Sequence, residues 1–458
     1  MSRFASLAAL ATLPLLLDIR EYGAVGLVVA IGALVNILLP LEISQGLARF
    51  YASTPDTEKS TLAGTAWWFT CAMLTGAAAI AIGFSEFFST LLFGTTEYRA
   101  AFVISIGFWW GGCTFLFLQN QFRWSFRTRE YAIYSVAYAA ALFGGAVIFA
   151  WLAPEPLLGA LAGWAIAALA LTVFAFLNLR GVLPTKISGT HLRQMLRFSL
   201  PLVPASIAIV ATTYVSRFVL GEEGGLADVG LYTFASQLAA IPSLVILGLQ
   251  SAVTPHVMAN FEKPETPILL ARTFEMVLIV GLAASTLLAT WADPILPHIG
   301  YPSYTGAGGL ILLLAPALLF QQLYIFAPGF AVAHRTAQQA IVSIASGAVA
   351  IALNFALIAP LGPQGAALAT LIAATVFLLA WFAMAQRYYA IPVRWFGLSL
   401  SATGFAIASQ SGRLAPIEAA PWLSAIGVLI VVGLASPVWW PAVKEIAVLA
   451  ANPTGPVE

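Results

Sequence analysis

The sequence predicts an all-α polytopic membrane protein, and three observations carry that prediction. Sixty per cent of the 458 residues are hydrophobic and only nine per cent are charged, a poverty of charge foreign to soluble domains. The apolar residues gather into runs of about 20, the length that crosses a hydrocarbon core of about 30 Å at 1.5 Å rise per residue. The connections between runs are brief, so no extramembrane domain is expected. Function then belongs within the bilayer or at its surfaces.

About fourteen spans follow in order: 3–17, 23–52, 61–83, 98–121, 131–152, 157–178, 199–219, 229–257, 270–290, 304–331, 337–359, 364–386, 395–410 and 421–437. The first, Phe4 to Leu17, lacks a small-residue cleavage site and precedes another span closely, so it reads as a short transmembrane helix, not a signal peptide. Pro154-Glu155-Pro156 turns the chain between spans 5 and 6. Between Leu179 and Arg197, Leu192, Met195 and Leu196 share one helical face while His191, Arg193 and Arg197 fall on others. That pattern suits a short interfacial helix joining two halves. Span 7 opens at Pro201 and Pro204, where a missing N–H costs little because first-turn donors have no helical partner. Gly221-Glu222-Glu223-Gly224-Gly225 breaks it, and span 8 restarts at Val229-Gly230-Leu231-Tyr232. Pro40, Pro242, Pro255, Pro316 and Pro328 lie inside long spans and are candidate bending points.

Charge and spacing give topology. With the N-terminus in the cytoplasm, sixteen of the twenty lysines and arginines fall on the cytoplasmic side, leaving Arg20, Arg99, Arg217 and Arg413 outside. That bias predicts N-in and C-in ends in the inner (plasma) membrane. A shift of 207 residues lays 23–52 on 229–257, 98–121 on 304–331 and 131–152 on 337–359, with Tyr22-Gly23 on Val229-Gly230. Two like-oriented, pseudo-symmetric six-helix lobes are therefore expected at 1–180 and 198–390, joined by a linker at 181–197. Two additional helices and a tail occupy 391–458. Such a repeat, with a cavity between its copies, is a transporter plan. No nucleotide, dinucleotide or metal motif is present, so no cofactor and no metal are expected, and the drive must be a gradient. Cys71 and Cys113 lie in apolar runs and predict no disulfide.

Five segments carry a family likeness: Glu21-Tyr22-Gly23, Gln45-Gly46-Leu47-Ala48-Arg49-Phe50-Tyr51, Leu200-Pro201-Leu202-Val203-Pro204, Ser216-Arg217-Phe218-Val219-Leu220 and Val229-Gly230-Leu231-Tyr232. Through them the chain resembles the multidrug/oligosaccharidyl-lipid/polysaccharide exporter superfamily, and within it the polysaccharide-biosynthesis branch of oligosaccharide-lipid flippases. The resemblance covers about residues 1–390; spans 13 and 14 match in number alone. It implies a V-shaped two-lobe flippase, not an enzyme, that moves a polyprenyl-diphosphate-linked glycan to the outer leaflet for surface polysaccharide (lipopolysaccharide or exopolysaccharide) biosynthesis. Its implied partners are the lipid-linked glycan, membrane lipid, a glycan polymerase and glycosyltransferases, and no nucleic acid. Ser216 stands where relatives often carry an acid.

Intramembrane polar groups are costly, so they mark the candidate substrate path. Glu42, Gln45 and Arg49 sit at i, i+3, i+7 of span 2. Arg49 is the candidate for the diphosphate, which its planar fork fits; alternatively it snorkels to the interface and Glu42 pairs with it. Glu42, read as the one acid well inside a span, is the default proton-coupling group. Arg217 either holds the diphosphate after crossing or pairs with Glu222, Glu223 or Asp228. His256, on which Arg49 falls under the shift, either faces it across the mouth or rests at the interface. Gln119 and Arg123, with Asn120, and Gln321 with Gln322 in the repeat partner, either meet sugar hydroxyls or bridge helices. Trp109-Trp110 either stacks on a sugar or packs between helices, and Trp67-Trp68 and Trp439-Trp440 read as interfacial belts. Three rivals remain in view. A drug or metabolite exporter of the same fold expects twelve spans and a buried acid in span 1. A peptidoglycan-precursor flippase expects more cavity cations. A polyprenyl-linked polymerase or glycosyltransferase expects a large extracytoplasmic loop.

Overall fold

The computed structural model describes residues 12–180, 187–244, 246, 249–250, 257, 260–333, 335–411, 420–437 and 440. Every regular element among them is a helix, and eight are long and apolar enough to cross a membrane. That is the polytopic all-α class. Residues 3–11 of span 1 lie outside the described residues, as do His256, Pro255, Trp439 and Arg413; Leu13–Leu15 form a 3₁₀ turn.

Helix α1 (Ile19–Leu38) starts at a capping box: the Asp18 N–H donates to Glu21 Oε2 at 2.9 Å while the Asp18 carboxylate accepts from the first turn. Such a box satisfies two first-turn donors. The expected single helix over 23–52 is broken: α1 stops before Pro40 and α2 (Ile43–Tyr51) begins after it. Then come α3 (Asp56–Gly83), the unforeseen short α4 (Ser85–Phe93), α5 (Arg99–Trp124), α6 (Thr128–Leu152) and α7 (Pro156–Leu179). The linker forms α8 (Gly189–Ser199), N-capped by Ser188 and resting on α2 and α3, with His191 Nε2 3.3 Å from Glu58. Helix α9 (Val203–Glu223) keeps its proline in the first turn as expected.

Span 8 is interrupted, with helical residues resuming at 244, 246, 249–250 and 257. Helix α10 (Leu226–Ala239) gives way to turns at Ala240–Ser243, around Pro242. Helix α11 (Glu265–Ile295) is followed by α12 (Ala307–Phe320), which ends at Gln321 and does not run on to 331; a 3₁₀ turn (Leu323–Phe326) and a short helical turn (Gly329–Val332) complete that span. The helical run Thr336–Ala385 folds into a hairpin, α13 and α14, at Gly362, whose φ of 56° and ψ of −135° suit glycine alone. Helices α15 (Trp395–Ser411) and α16 (Ala420–Leu434) are the two additional C-terminal helices.

The chain divides into two compact units, residues 1–233 and 234–458. The first is cored by Phe115, Phe117, Phe122 and Trp67, so Trp67 is a core residue and not part of an interfacial belt, whereas Trp68 is exposed. The second is cored by Phe274, Phe326, Phe330, Trp381 and Phe382.

Within the first unit, α1 crosses α10 on glycine. A Cβ on Gly23 would overlap the Leu226 carbonyl and lie 3.1 Å from the Gly230 nitrogen, and a Cβ on Gly230 would overlap the Ile19 carbonyl. One on Gly26 would lie 2.5 Å from Thr233 Oγ1. The three position pairs 19/226, 23/230 and 26/233 each differ by 207, since 226−19, 230−23 and 233−26 give the same number. The crossing is therefore locally self-complementary in the register of the repeat: 23 touches 226 as 230 touches 19, and 26 touches 233, as at a twofold contact. Without a hydrophobic drive between helices in lipid, such small-residue crossings are what lets backbones close.

Candidate functional site

The break in the second span builds a pocket. Pro40 has no N–H, so the Asn36 carbonyl loses its helical donor, and the pyrrolidine ring obstructs the turn below it. The chain then passes through two left-handed residues, Leu41 (φ 51°) and Glu42 (φ 54°), before α2 begins. Neither is glycine, and a left-handed L-residue costs roughly 1–2 kcal/mol. Strain of this kind persists where surrounding structure enforces it, commonly at functional sites. Here the strained segment lines a cavity of about 170 Å³, bounded by Asn36, Pro40, Glu42, Ser44, Gln45, Thr70, Cys113, Leu116, Phe117 and Asn120. Irregular backbone within a membrane bundle is tolerated where it lines such a cavity.

Most polar side chains of this pocket are uncommitted among the described residues. Among the described residues, no side chain hydrogen-bonds to those of Asn36, Glu42, Gln45 or Asn120. Thr70, buried, donates to the Ala66 carbonyl at 2.9 Å. Glu42 carries the lining's charge, so the pocket favours cations and hydroxyl donors and disfavours a phosphate. Its volume is below the roughly 300 Å³ at which drug-sized sites begin, enough for a hydrated ion or a fragment of a larger molecule.

The structure brings Glu42 and Gln45 together there and places the other candidates elsewhere. Because Glu42 precedes α2, the three-residue stripe on one continuous helix does not exist. Arg49, near the far end of α2, is exposed, and among the described residues neither Glu42 nor any other acid pairs with it. Arg123 is likewise exposed at the end of α5. Gln119 Nε2 donates to Ser135 Oγ at 2.7 Å and so bridges α5 to α6; its neighbour Asn120, not Gln119, reaches the pocket. Gln321 sits half-buried at the break after α12, outside both units' described cavities. Arg217 is 9% exposed; its guanidinium lies over the Tyr214 and Tyr232 rings at 5.1 and 5.8 Å, and its Nε donates to Thr233 Oγ1 at 3.3 Å. That is a packed cation, tied to the glycine crossing through Thr233. His256 lies outside the described residues.

Trp109 packs: its indole N–H donates to the Val28 carbonyl at 2.8 Å, beside Gly32, and Trp110 donates to Thr75 at 3.1 Å. Two polar residues escaped the sequence reading. Gln121, fully buried on α5, has neither amide atom hydrogen-bonded among the described residues. Glu275 is a second acid within a span, 1% exposed on α11 and paired with Arg394; its position at the sixth residue of 270–290 was the available signal.

The sequence matches the polysaccharide biosynthesis protein family over residues 2–261. Among solved structures, the fold is similar to that of the lipid II flippase MurJ in an inward closed conformation, at 14% identity and TM-score 0.74, over 96% of this chain and 98% of that one. It is also similar to an inward-facing multidrug resistance MATE family transporter of the MOP superfamily, at 14% identity and TM-score 0.62, over 84% of this chain and 94% of that one. No curated relative matches the sequence. At such identities the likeness is one of fold.

Proposed function

Because the chain belongs to the polysaccharide biosynthesis protein family and has the membrane-transporter fold of the MOP superfamily, we propose that it flips a polyprenyl-diphosphate-linked oligosaccharide from the cytoplasmic to the outer leaflet of the inner membrane. What supports this reading most is the broken second span. A strained helix break, lined by uncommitted amides and one carboxylate, offers hydrogen bonds that no side-chain contact among the described residues uses.

The work divides by charge. Arg49, exposed on α2 and paired with no acid among the described residues, engages the diphosphate, where charge-assisted bonds are strong. The Asn36, Gln45 and Asn120 amides suit sugar hydroxyls, and Glu42 takes up the coupling proton or cation. An inside-negative potential drives a phosphate outward by about 2.3 kcal/mol per charge per 100 mV. The bound glycan would be delivered and consumed by glycosyltransferases and a polymerase acting on the same surface polysaccharide, with both chain ends on the cytoplasmic side.

Translocation of a labelled lipid-linked oligosaccharide in proteoliposomes tests the reading. Arg49→Ala and Glu42→Gln should each slow it at least about tenfold, the scale of one lost charged hydrogen bond, while Arg49→Lys retains part. Unchanged rates in both variants would end the proposal. A second reading, export of an organic cation by the same fold, is favoured by Glu42 being the pocket's charge. Efflux of a cationic dye that depends on Glu42, with no glycan movement, would establish it instead.

A further inference from the structure

The second unit holds a different polar pocket. A cavity of about 240 Å³ is lined by Ile268, Ala271, Arg272, Glu275, Pro392 and Arg394. Glu275 Oε1 accepts from the Arg394 backbone N–H at 2.7 Å, and Oε2 from Arg394 Nε at 3.2 Å and Nη2 at 3.1 Å. With Arg272 the lining holds two arginines and one carboxylate. The Arg394 side chain is 51% exposed. The pocket lies among the first three turns of α11 and at the start of α15, so it sits where both helices begin. Beside it the α15 surface is apolar and outward: Phe396 is 84% and Leu400 65% exposed, and on α11 Ile268 is 45% exposed.

We propose that this pocket binds the phosphate of an anionic membrane glycerophospholipid, with its acyl chains lying along Phe396 and Leu400. Two arginines at a cavity of headgroup size recognise a phosphate, and basic pockets between membrane helices take anionic headgroups. The adjoining apolar stripe distinguishes an amphiphile from a free anion: inorganic phosphate gains nothing from Phe396 or Leu400, whereas a lipid gains from both. Glu275 is a positioning residue, holding the Arg394 guanidinium at the rim. This site does not rest on the transport reading.

The test uses the full chain in detergent, with bound molecules counted by native mass spectrometry and thermal midpoints measured in parallel. The probes are dioleoyl-phosphatidylglycerol, dioleoylglycerol (chains without phosphate) and inorganic phosphate (phosphate without chains). Phosphatidylglycerol should bind and raise the midpoint, and the other two should not. Arg272→Gln should weaken phosphatidylglycerol about fivefold, the effect of one arginine near a membrane surface, with Arg272→Lys between. Equal binding of dioleoylglycerol, or wild-type affinity in both Arg272→Gln and Arg394→Lys, would overturn the proposal. Protection by inorganic phosphate as strong as by the lipid would overturn the lipid assignment in favour of a free anion. Should Arg272→Gln aggregate, the three-probe comparison on the unaltered protein decides alone.

Discussion

Glu42 and Glu275 are both carboxylates at polar pockets in helix bundles, yet the chain treats them in opposite ways. Glu275 is buried on a regular helix and spends both oxygens on Arg394, which ties the start of α15 to α11. Glu42 is half-buried on a strained break and spends neither oxygen on any described side chain. A committed acid builds structure. An uncommitted one, held at a conformational cost, is available to something that arrives. Residue type alone does not separate the two; their partners do.

The sharpest way to break that contrast is to remove Arg394. Glu275, 1% exposed, would then be a buried charge that has lost the guanidinium of its half-exposed partner and keeps only the backbone N–H of position 394. Thermal unfolding of Arg394→Ala in detergent should show a markedly lower midpoint, whereas Glu42→Gln should leave the midpoint unchanged while stopping transport. Equal stability losses in the two variants would make Glu42 another structural acid.

A smaller test concerns Gln121. Among the described residues neither of its buried amide atoms has a partner, and an unsatisfied buried polar group costs about 1–3 kcal/mol. Gln121→Met, similar in length and apolar, should raise the midpoint by the equivalent of about 1 kcal/mol. A stabilised but transport-dead variant would add Gln121 to the uncommitted set beside Asn120.

Much of this fold is legible in the sequence, for physical reasons that also mark where legibility ends. Apolar runs of bilayer length dictate helices, Pro201 and Pro204 mark a helix start, and the 207-residue register emerges again where Gly23 and Gly230 cross. Contacts distant in sequence leave no such trace: Glu275 and Arg394 are separated by 119 positions, and nothing local announces the pair. Helical face is equally hidden in uniformly apolar segments. Gln119 and Asn120 differ by one residue, about 100° of rotation at 3.6 residues per turn, and only packing decides that the first bridges α6 and the second meets the pocket. At Pro40 the proline signals a bend, but Leu41 and Glu42 carry no glycine to signal left-handed backbone, so a continuous helix was the natural expectation.

That last disagreement supplies the finest test of the comparison. Leu41 and Glu42 adopt φ values of 51° and 54°, where an L side chain costs roughly 1–2 kcal/mol and glycine nearly nothing. Glu42→Gly relieves that cost, while the more flexible glycine chain stabilises the unfolded state by roughly 0.5–1 kcal/mol. The balance is a net gain of about 0.5 kcal/mol in folded stability, together with loss of the carboxylate and of transport. Asp293, by contrast, is a span-end acid whose carboxylate is already spent, accepting from the Gly306 and Gly308 N–H groups at 2.8 and 2.9 Å; its removal should destabilise. A Glu42→Gly protein that unfolds at a lower temperature than the parent would mean that the carboxylate stabilises the break itself. The strain at Leu41 and Glu42 would then belong to folding and not to function.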